Sequence, residues 1–92
     1  MDTDIIIPIY NAFDFTKKCI ETVIEHTDLT KHTLLLINDK STDQRILPLL
    51  NLFTTEYPSL NITIINNESN QGFVRTVNIG MQHSSRDVVL LN

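Results

Sequence analysis

Apolar residues along this chain follow two patterns: short continuous runs, and longer stretches in which they recur every three to five positions. Four continuous runs lie at residues 4–8, 33–38, 61–66 and 87–92. Each run is too short for a buried helix and suits a strand that is covered on both faces. The first should end near Pro8, because proline has no N–H to donate to a strand ladder. We therefore predict four β-strands.

The stretches between the strands show the apolar spacing of amphipathic helices. We predict a first helix from residue 14 to about residue 26, with Asp14 as its N-cap. A second helix should be regular from Pro48 to about residue 57, after an irregular first turn, because a proline inside a helix removes a hydrogen bond. Asp43 could cap that second helix.

A third helix is predicted from residue 73 to residue 84. We expect four apolar side chains to face inward, those of Phe73, Val74, Val77 and Met81. Gly80 lies inside this helix, where a glycine costs about 1 kcal/mol relative to alanine. Close packing of the helix against a strand would explain the glycine.

The alternation of strands and helices predicts an α/β fold, a three-layer α/β/α arrangement around a four-stranded parallel sheet. Right-handed crossovers favour the strand order 3-2-1-4, with the chain changing direction between strands one and four. In such sheets, ligands bind outside the carboxyl ends of the strands at that point. Residues 8–11 and 39–41 are expected to line the crevice.

Composition limits what this domain can be. The chain has 92 residues, enough for one small domain, and its net charge of −4 argues against a general nucleic-acid partner. The single cysteine, Cys19, cannot form an internal disulfide and is expected in the core.

No apolar run is long enough to cross a membrane, and the start of the chain lacks the basic flank of a signal peptide. A cytoplasmic location is the expectation, with a membrane-peripheral full-length protein as the alternative.

Several common chemistries do not fit the residues present. The two glycines, at positions 72 and 80, leave neither a glycine-rich dinucleotide turn after the first strand nor a phosphate-binding P-loop. His26, His32 and His83 are scattered without the spacing of a metal site. No serine, histidine and acid set occupies positions expected of a hydrolase.

The remaining candidate is Asp39, which directly follows the second strand. A carboxylate there could accept a hydrogen bond from the ring N–H of a base or from a ribose hydroxyl. Tyr10 offers a ring face for stacking. The alternative is that Asp39 and Asp43 only cap a turn and a helix. We favour the cap for Asp43 and ligand contact for Asp39.

Three segments, in order, resemble the amino-terminal half of a family 2 glycosyltransferase of the GT-A fold. They are DIIIPIYN at residues 4–11, LINDKSTD at residues 36–43 and NQGFVRTVNIG at residues 70–80. The resemblance implies a Rossmann-like nucleotide-sugar site. It implies that Pro8, Tyr10 and Asn11 line the nucleoside pocket. It also implies that Asp39 binds the base, which is commonly uracil.

The same resemblance implies a role for the third segment. Its loop, with Asn70 and Gly72, would close over the nucleotide, and Arg75 would lie near the diphosphate unless it is an exposed helix arginine. Family members place an Asp-x-Asp motif for a divalent metal, Mg²⁺ or Mn²⁺, directly after the fourth strand. This sequence stops before that motif, at Asn92. We therefore expect no metal ligands and no catalytic residues here.

Residues 1–92 are thus interpreted as a single truncated domain of an enzyme that moves a sugar from a nucleotide-diphosphate donor, with UDP-sugar expected, to a sugar or glycan acceptor. The fragment alone is predicted to be inactive. A non-catalytic nucleotide-binding domain and a protein-interaction domain stay open as alternatives. Because the fourth strand would leave an unpaired edge, we also expect association into a homo-oligomer at high concentration.

Overall fold

A computed structural model of the chain describes residues 3–84 and 87–91. Strands and helices alternate throughout, as predicted. They are β1 (Thr3–Ile9), α1 (Phe13–His26), β2 (Thr33–Asn38), α2 (Ile46–Glu56), β3 (Ile62–Asn66), α3 (Phe73–His83) and β4 (Asp87–Leu90). The strands form one sheet in the order β3-β2-β1-β4, and all three strand pairs are parallel. The predicted α/β class and strand order are therefore confirmed.

Both faces of the sheet are covered at its inner strands, β1 and β2, whereas β4 is largely exposed. On one face, alternate residues of β1 pack in a large core with side chains of α1 and α2, such as Ile20 and Leu50. On the other face, Ile6, Leu35 and Ile37 form a smaller cluster beneath α3. Burial on both sides explains why the sequences of β1 and β2 are almost continuously apolar instead of alternating.

Helix α3 lies very close to the sheet. A Cβ atom added to Gly80 would lie 2.6 Å from Cδ1 of Ile37 and 3.0 Å from Cδ1 of Ile6, so only glycine fits there without movement. The buried side of the helix consists of Thr76, Val77 and Gly80. The expected close packing at Gly80 is thus present in the structure.

The predicted inward face of α3 is correct for Val77 but wrong for three other residues. Phe73, Val74 and Met81 are 49%, 69% and 48% exposed. The small residues Thr76 and Gly80 allow the helix backbone to approach the sheet closely. They therefore pack against the sheet in place of the larger side chains that were expected to do so.

Two predicted helix starts need correction. Helix α1 begins at Phe13, after an Ala12 N-cap in the left-handed conformation, with φ of 53°. Asp14 lies in its first turn and is not the N-cap. Helix α2 begins at Ile46, two residues before Pro48. Pro48 is tolerated because the first N–H groups of a helix have no partner within it.

The sheet ends at β4. This strand pairs with β1 from Thr3↔Asp87 to Ile6↔Leu90, and its other edge pairs with no strand in the part of the chain described. The predicted end of the fourth strand at Asn92 falls outside the described residues. Association through this edge stays a prediction. None of the described helices is long and apolar enough to cross a membrane.

Candidate nucleotide-binding site

The site lies where β1 and β2 end side by side. Ile9 is the register partner of Asn38, and the next backbone N–H, that of Asp39, donates to the carbonyl of Ile9 at 2.8 Å. The parallel ladder therefore continues one residue beyond β2. This contact holds Asp39 at the carboxyl end of the sheet, beside the turn that begins at Tyr10.

The carboxylate of Asp39 is buried and bound by groups from the loop after β3. Its Oδ1 atom accepts hydrogen bonds from the side-chain amide of Asn67 at 2.9 Å and from the backbone N–H of Gln71 at 2.7 Å. Its Oδ2 atom accepts the backbone N–H of Gly72 at 2.9 Å. The residue is 4% exposed. These three donors stabilise the negative charge of the buried carboxylate.

The pKa of Asp39 is lowered from its ordinary value. Burial on its own raises this pKa, but the hydrogen bonds from Gln71, Asn67 and Gly72, with the nearby Thr76 hydroxyl, favour the charged form and together outweigh burial. Asp39 is therefore an anion near neutral pH.

Asp39 also caps the N-terminus of α3. Gly72 is the N-cap of this helix and has no side chain with which to cap it, and its φ of 83° lies in the region that favours glycine. Asp39 supplies the missing acceptor from a neighbouring strand. Negative charge at a helix N-terminus is also favoured by the helix dipole.

A cavity of about 430 Å³ opens beside this carboxylate. It is lined by Pro8, Ile9, Tyr10, Asp39, Asn70, Gly72, Phe73 and Thr76. Tyr10 and Phe73 are each 49% exposed, so both rings present surface to a ligand. The cavity thus combines aromatic walls with one buried anion, as small-molecule sites commonly do.

Five of the seven residues predicted to bind nucleotide line this cavity, and Asn11 and Arg75 do not. Asn11 is bound to the loop after β2: its backbone N–H donates to Ser41 Oγ at 2.9 Å, and its Oδ1 accepts the N–H of Asp43 at 2.9 Å. It therefore ties the β1 turn to that loop. Arg75 is exposed on α3.

Asp43 has a structural role, but the prediction that it caps α2 is wrong, because the N-cap is Arg45 and no side chain caps this helix. Its Oδ1 atom accepts the backbone N–H of Arg45, two residues later, at 3.0 Å, which closes the turn ahead of α2. Its Oδ2 atom pairs with the Arg45 guanidinium at 2.7 Å. The side-chain and backbone hydrogen bonds from Arg45 lower the pKa of Asp43 to about 2. Asp43 is thus occupied within its own turn.

Sequence reasoning missed Asn67, Phe73 and Thr76 as site residues. Asn67 follows β3 as Asp39 follows β2, and its backbone N–H donates to the carbonyl of Asn38 at 2.9 Å. Its position directly after a strand was a usable signal. Phe73 and Thr76 could not be found this way, because the rotation of α3 about its axis decides which of its residues reach the cavity.

The sequence profile described as Glycosyl transferase family 2 matches residues 4–92. This chain belongs to glycosyl transferase family 2. No curated protein sequence matches it.

Solved structures share the fold of this family 2 chain. The mannosyltransferase PcManGT from Pyrobaculum calidifontis, in complex with GDP-Man and Mn²⁺, matches 90% of the chain with 18% identity and a TM-score of 0.80. GalNAc-T7 with UDP, GalNAc and Mn²⁺ matches 98% with 20% identity and a TM-score of 0.80. S. aureus TarS 1-349 in complex with UDP matches 99% with 20% identity and a TM-score of 0.73. The GT-A fold expected from the sequence is confirmed.

The family 2 chain is much shorter than these proteins. It spans 24% of PcManGT, 17% of GalNAc-T7 and 27% of TarS 1-349. Two of the three structures contain Mn²⁺. Within residues 3–84 and 87–91, no three His, Cys, Asp or Glu side chains are grouped so that they could hold a metal ion. The described residues therefore do not fit a metal site, and metal ligands beyond Asn92 stay a prediction.

Proposed function

We propose that this chain is the nucleotide-binding half of a glycosyltransferase that moves a sugar from a nucleotide-diphosphate donor, UDP-sugar, to a sugar or glycan acceptor. The observation that supports this proposal is the cavity at the carboxyl ends of β1 and β2, with Asp39 on one wall and two aromatic rings on others. Its volume of about 430 Å³ falls within the range of small-molecule sites.

The state of Asp39 favours uracil over guanine. A carboxylate has about four acceptor positions, and the side chain of Asn67 and the backbone of Gln71 and Gly72 occupy three of them. At most one position is left for a ligand. Uracil presents a single ring N–H, whereas guanine presents a ring N–H and an adjacent amino group that would require two acceptors side by side.

The aromatic residues supply the second part of the site. A base or ribose that enters the cavity meets the exposed surfaces of Tyr10 and Phe73. Stacking of a base on an aromatic ring contributes about 1–3 kcal/mol. Together with one hydrogen bond to Asp39, this supports weak binding by the chain alone, with a dissociation constant on the order of 1 mM.

The remaining parts of the enzyme are proposed to lie outside this chain. A divalent metal, Mg²⁺ or Mn²⁺, would neutralise the departing diphosphate in the full-length protein. The acceptor site and the catalytic base would follow it along the sequence. The chain by itself is therefore proposed to bind the donor nucleotide without transferring the sugar.

A titration of the isotope-labelled chain with UDP and, separately, with GDP tests the proposal. UDP should produce saturable shifts in the amide signals of Tyr10 and Gly72, and GDP should bind at least about fivefold more weakly, as expected for one lost hydrogen bond to a charged group. Asp39→Asn should weaken the binding of UDP. Asp43→Asn is the matched control, because Asp43 does not line the cavity.

Two results would contradict the proposal. The absence of any UDP-dependent shift at millimolar concentrations would remove the nucleotide site and favour a protein-interaction domain. Equal affinity for UDP and GDP would mean that the carboxylate of Asp39 does not bind the base selectively. Equal losses of UDP affinity in the Asp39 and Asp43 variants would mean the same.

A further inference from the structure

The side-chain amide of Asn67 connects two elements of the candidate site. Its Nδ2 atom donates to Oδ1 of Asp39 at 2.9 Å and to Oγ1 of Thr76 at 3.2 Å. An amide nitrogen has two hydrogens, so this cluster uses both. Thr76 is fully buried and lines the same cavity as Asp39.

The backbone holds this amide in place. The N–H of Asn67 donates to the carbonyl of Asn38 at 2.9 Å, directly beyond the last β2–β3 register pair, Asn38↔Asn66. Asn67 is therefore anchored to the sheet on the same strand pair that delivers Asp39. Its amide group approaches the carboxylate from a rigid support, which is the arrangement that precise sites need.

We propose that Asn67 is a positioning residue for the nucleotide site: its amide fixes the carboxylate of Asp39 so that one acceptor position is left for the base. This inference rests on the proposed function for the identity of the ligand. It requires a hydrogen-bond donor at position 67. A carboxylate of similar shape at that position would present an oxygen to Oδ1 of Asp39 and could not donate when ionised.

The substitution Asn67→Asp follows from this requirement. It would place two carboxylates at the distance now spanned by a 2.9 Å hydrogen bond. Two carboxylates so close share a proton, and the apparent pKa of the pair rises. The groups now bound to the carboxylate of Asp39 are uncharged, namely the Asn67 amide and two backbone N–H groups. The Thr76 hydroxyl nearby is also uncharged, and Tyr10 is the other titratable residue that lines the cavity.

The neighbouring residue provides a matched control. Asn66 is exposed, and its Oδ1 atom accepts a hydrogen bond from the amide of Asn38 at 3.2 Å. An aspartate at position 66 keeps that acceptor. Asn66→Asp therefore adds the same charge one residue away without opposing Asp39, and it should leave the site as it is.

The first experiment follows the side-chain carboxyl carbon of Asp39 by NMR through a pH titration in the wild type, Asn67→Asp and Asn66→Asp. In Asn67→Asp the apparent pKa should rise by at least about one unit, and in Asn66→Asp it should stay within about 0.3 unit, as for exposed charges screened by solvent. Equal titration curves in the two variants would overturn the inference. This measurement needs no nucleotide.

The second experiment measures UDP binding by the same three proteins. At about pH 7.5, Asn67→Asp should bind UDP about tenfold more weakly than the wild type. Part of that affinity should return at about pH 4.5, where the two carboxyl groups begin to share a proton and a donor between them is restored. Asn66→Asp should match the wild type at both pH values. A purely structural defect would not be relieved by acid, so a pH-independent loss would also overturn the inference.

The two proposals can fail separately. If the wild type does not bind UDP, the proposed function is wrong, and the carboxyl titration still decides whether Asn67 holds Asp39. If Asn67→Asp does not fold, as judged by circular dichroism, Asn67→Ala replaces it. That variant removes the donor without adding charge, so the pKa of Asp39 should still rise, by a smaller amount, and an unchanged pKa would count against the inference.

Discussion

The carboxylate of Asp39 accepts the backbone N–H of Gly72 at 2.9 Å and so joins the end of β2 to the N-cap of α3. One side chain therefore has two tasks, since it also lines the candidate nucleotide cavity. The helix start and the cavity wall are built by the same hydrogen bonds. Substitutions at Asp39 should affect stability and binding together.

Asp39→Ala should lower the free energy of unfolding by about 2 kcal/mol. The substitution leaves the N–H groups of Gln71 and Gly72 without their acceptor, and a buried donor without a partner costs about 1–3 kcal/mol. Chemical denaturation followed by circular dichroism measures the loss. Asp14→Ala is the control: Asp14 is an exposed acid in the first turn of α1, and its loss should cost only about 0.5 kcal/mol. Equal losses in the two variants would exclude the capping role of Asp39.

Gly80→Ala should destabilise the protein by about 1 kcal/mol. Alanine favours a helix over glycine by about 1 kcal/mol, but its Cβ would lie 2.6 Å from Cδ1 of the fully buried Ile37. Overpacking of this kind costs about 1–3 kcal/mol and outweighs the gain in helix propensity. Unfolding by denaturant measures the difference, and an increase in stability would contradict the close packing.

A double substitution identifies the cause of that loss. Ile37→Val removes the Cδ1 atom that an added Cβ would meet, so Gly80→Ala should cost less in the Ile37→Val background than in the wild type. The coupling between the two sites should be at least about 0.5 kcal/mol. Additive effects would mean that the clash is relieved elsewhere, for example by movement of Ile6.

The sheet could be predicted from the sequence because its physical signal is local. Continuous apolar runs mark strands covered on both sides, and the run that ends at Asp39 places this acid at the carboxyl edge without reference to other elements. The strand order then follows from the handedness of the crossovers. The cavity residues Pro8, Tyr10 and Asp39 come from these strand ends, and they were predicted.

The orientation of α3 could not be predicted in the same way. Apolar periodicity favours Phe73, Val77 and Met81 as the buried stripe, but contact with a sheet also depends on how closely the backbone can approach. Gly80 allows that approach, which rotates Phe73 toward the cavity instead of the core. The hydrogen bonds from Gln71 and Gly72 to Asp39 were missed for a related reason, since these residues lead directly into this helix.

Acid should remove the contribution of Asp39 to stability. Its pKa is lowered in the folded protein, so the folded state favours the charged form. For a lowered pKa, the added stability is fully present above the unfolded pKa of about 3.9 and is lost as the pH falls through the folded value. The difference in unfolding free energy between the wild type and Asp39→Asn should therefore be constant near neutral pH and shrink below about pH 4.

Denaturation curves at several pH values check this dependence. Asp43→Asn is a useful comparison, because the pKa of Asp43 is lowered to about 2 by its hydrogen bonds with Arg45. Since that pair lies at the surface and is screened by solvent, its substitution should change stability much less. A difference between wild type and Asp39→Asn that persists at the lowest pH would show that the charge of Asp39 is not what stabilises the fold.

Tyr10→Ala should weaken UDP binding about tenfold or more without a large change in stability. Tyr10 lines the cavity and is half exposed, so its ring contributes little to the core but can stack on a base or ribose. Tyr57→Ala is the matched control, because Tyr57 is a partly exposed tyrosine at the end of α2 and does not line the cavity. Titration with UDP and thermal unfolding of both variants separate binding from stability. Equal affinities in the two variants would exclude Tyr10 from the site and leave Phe73 as the aromatic residue to test.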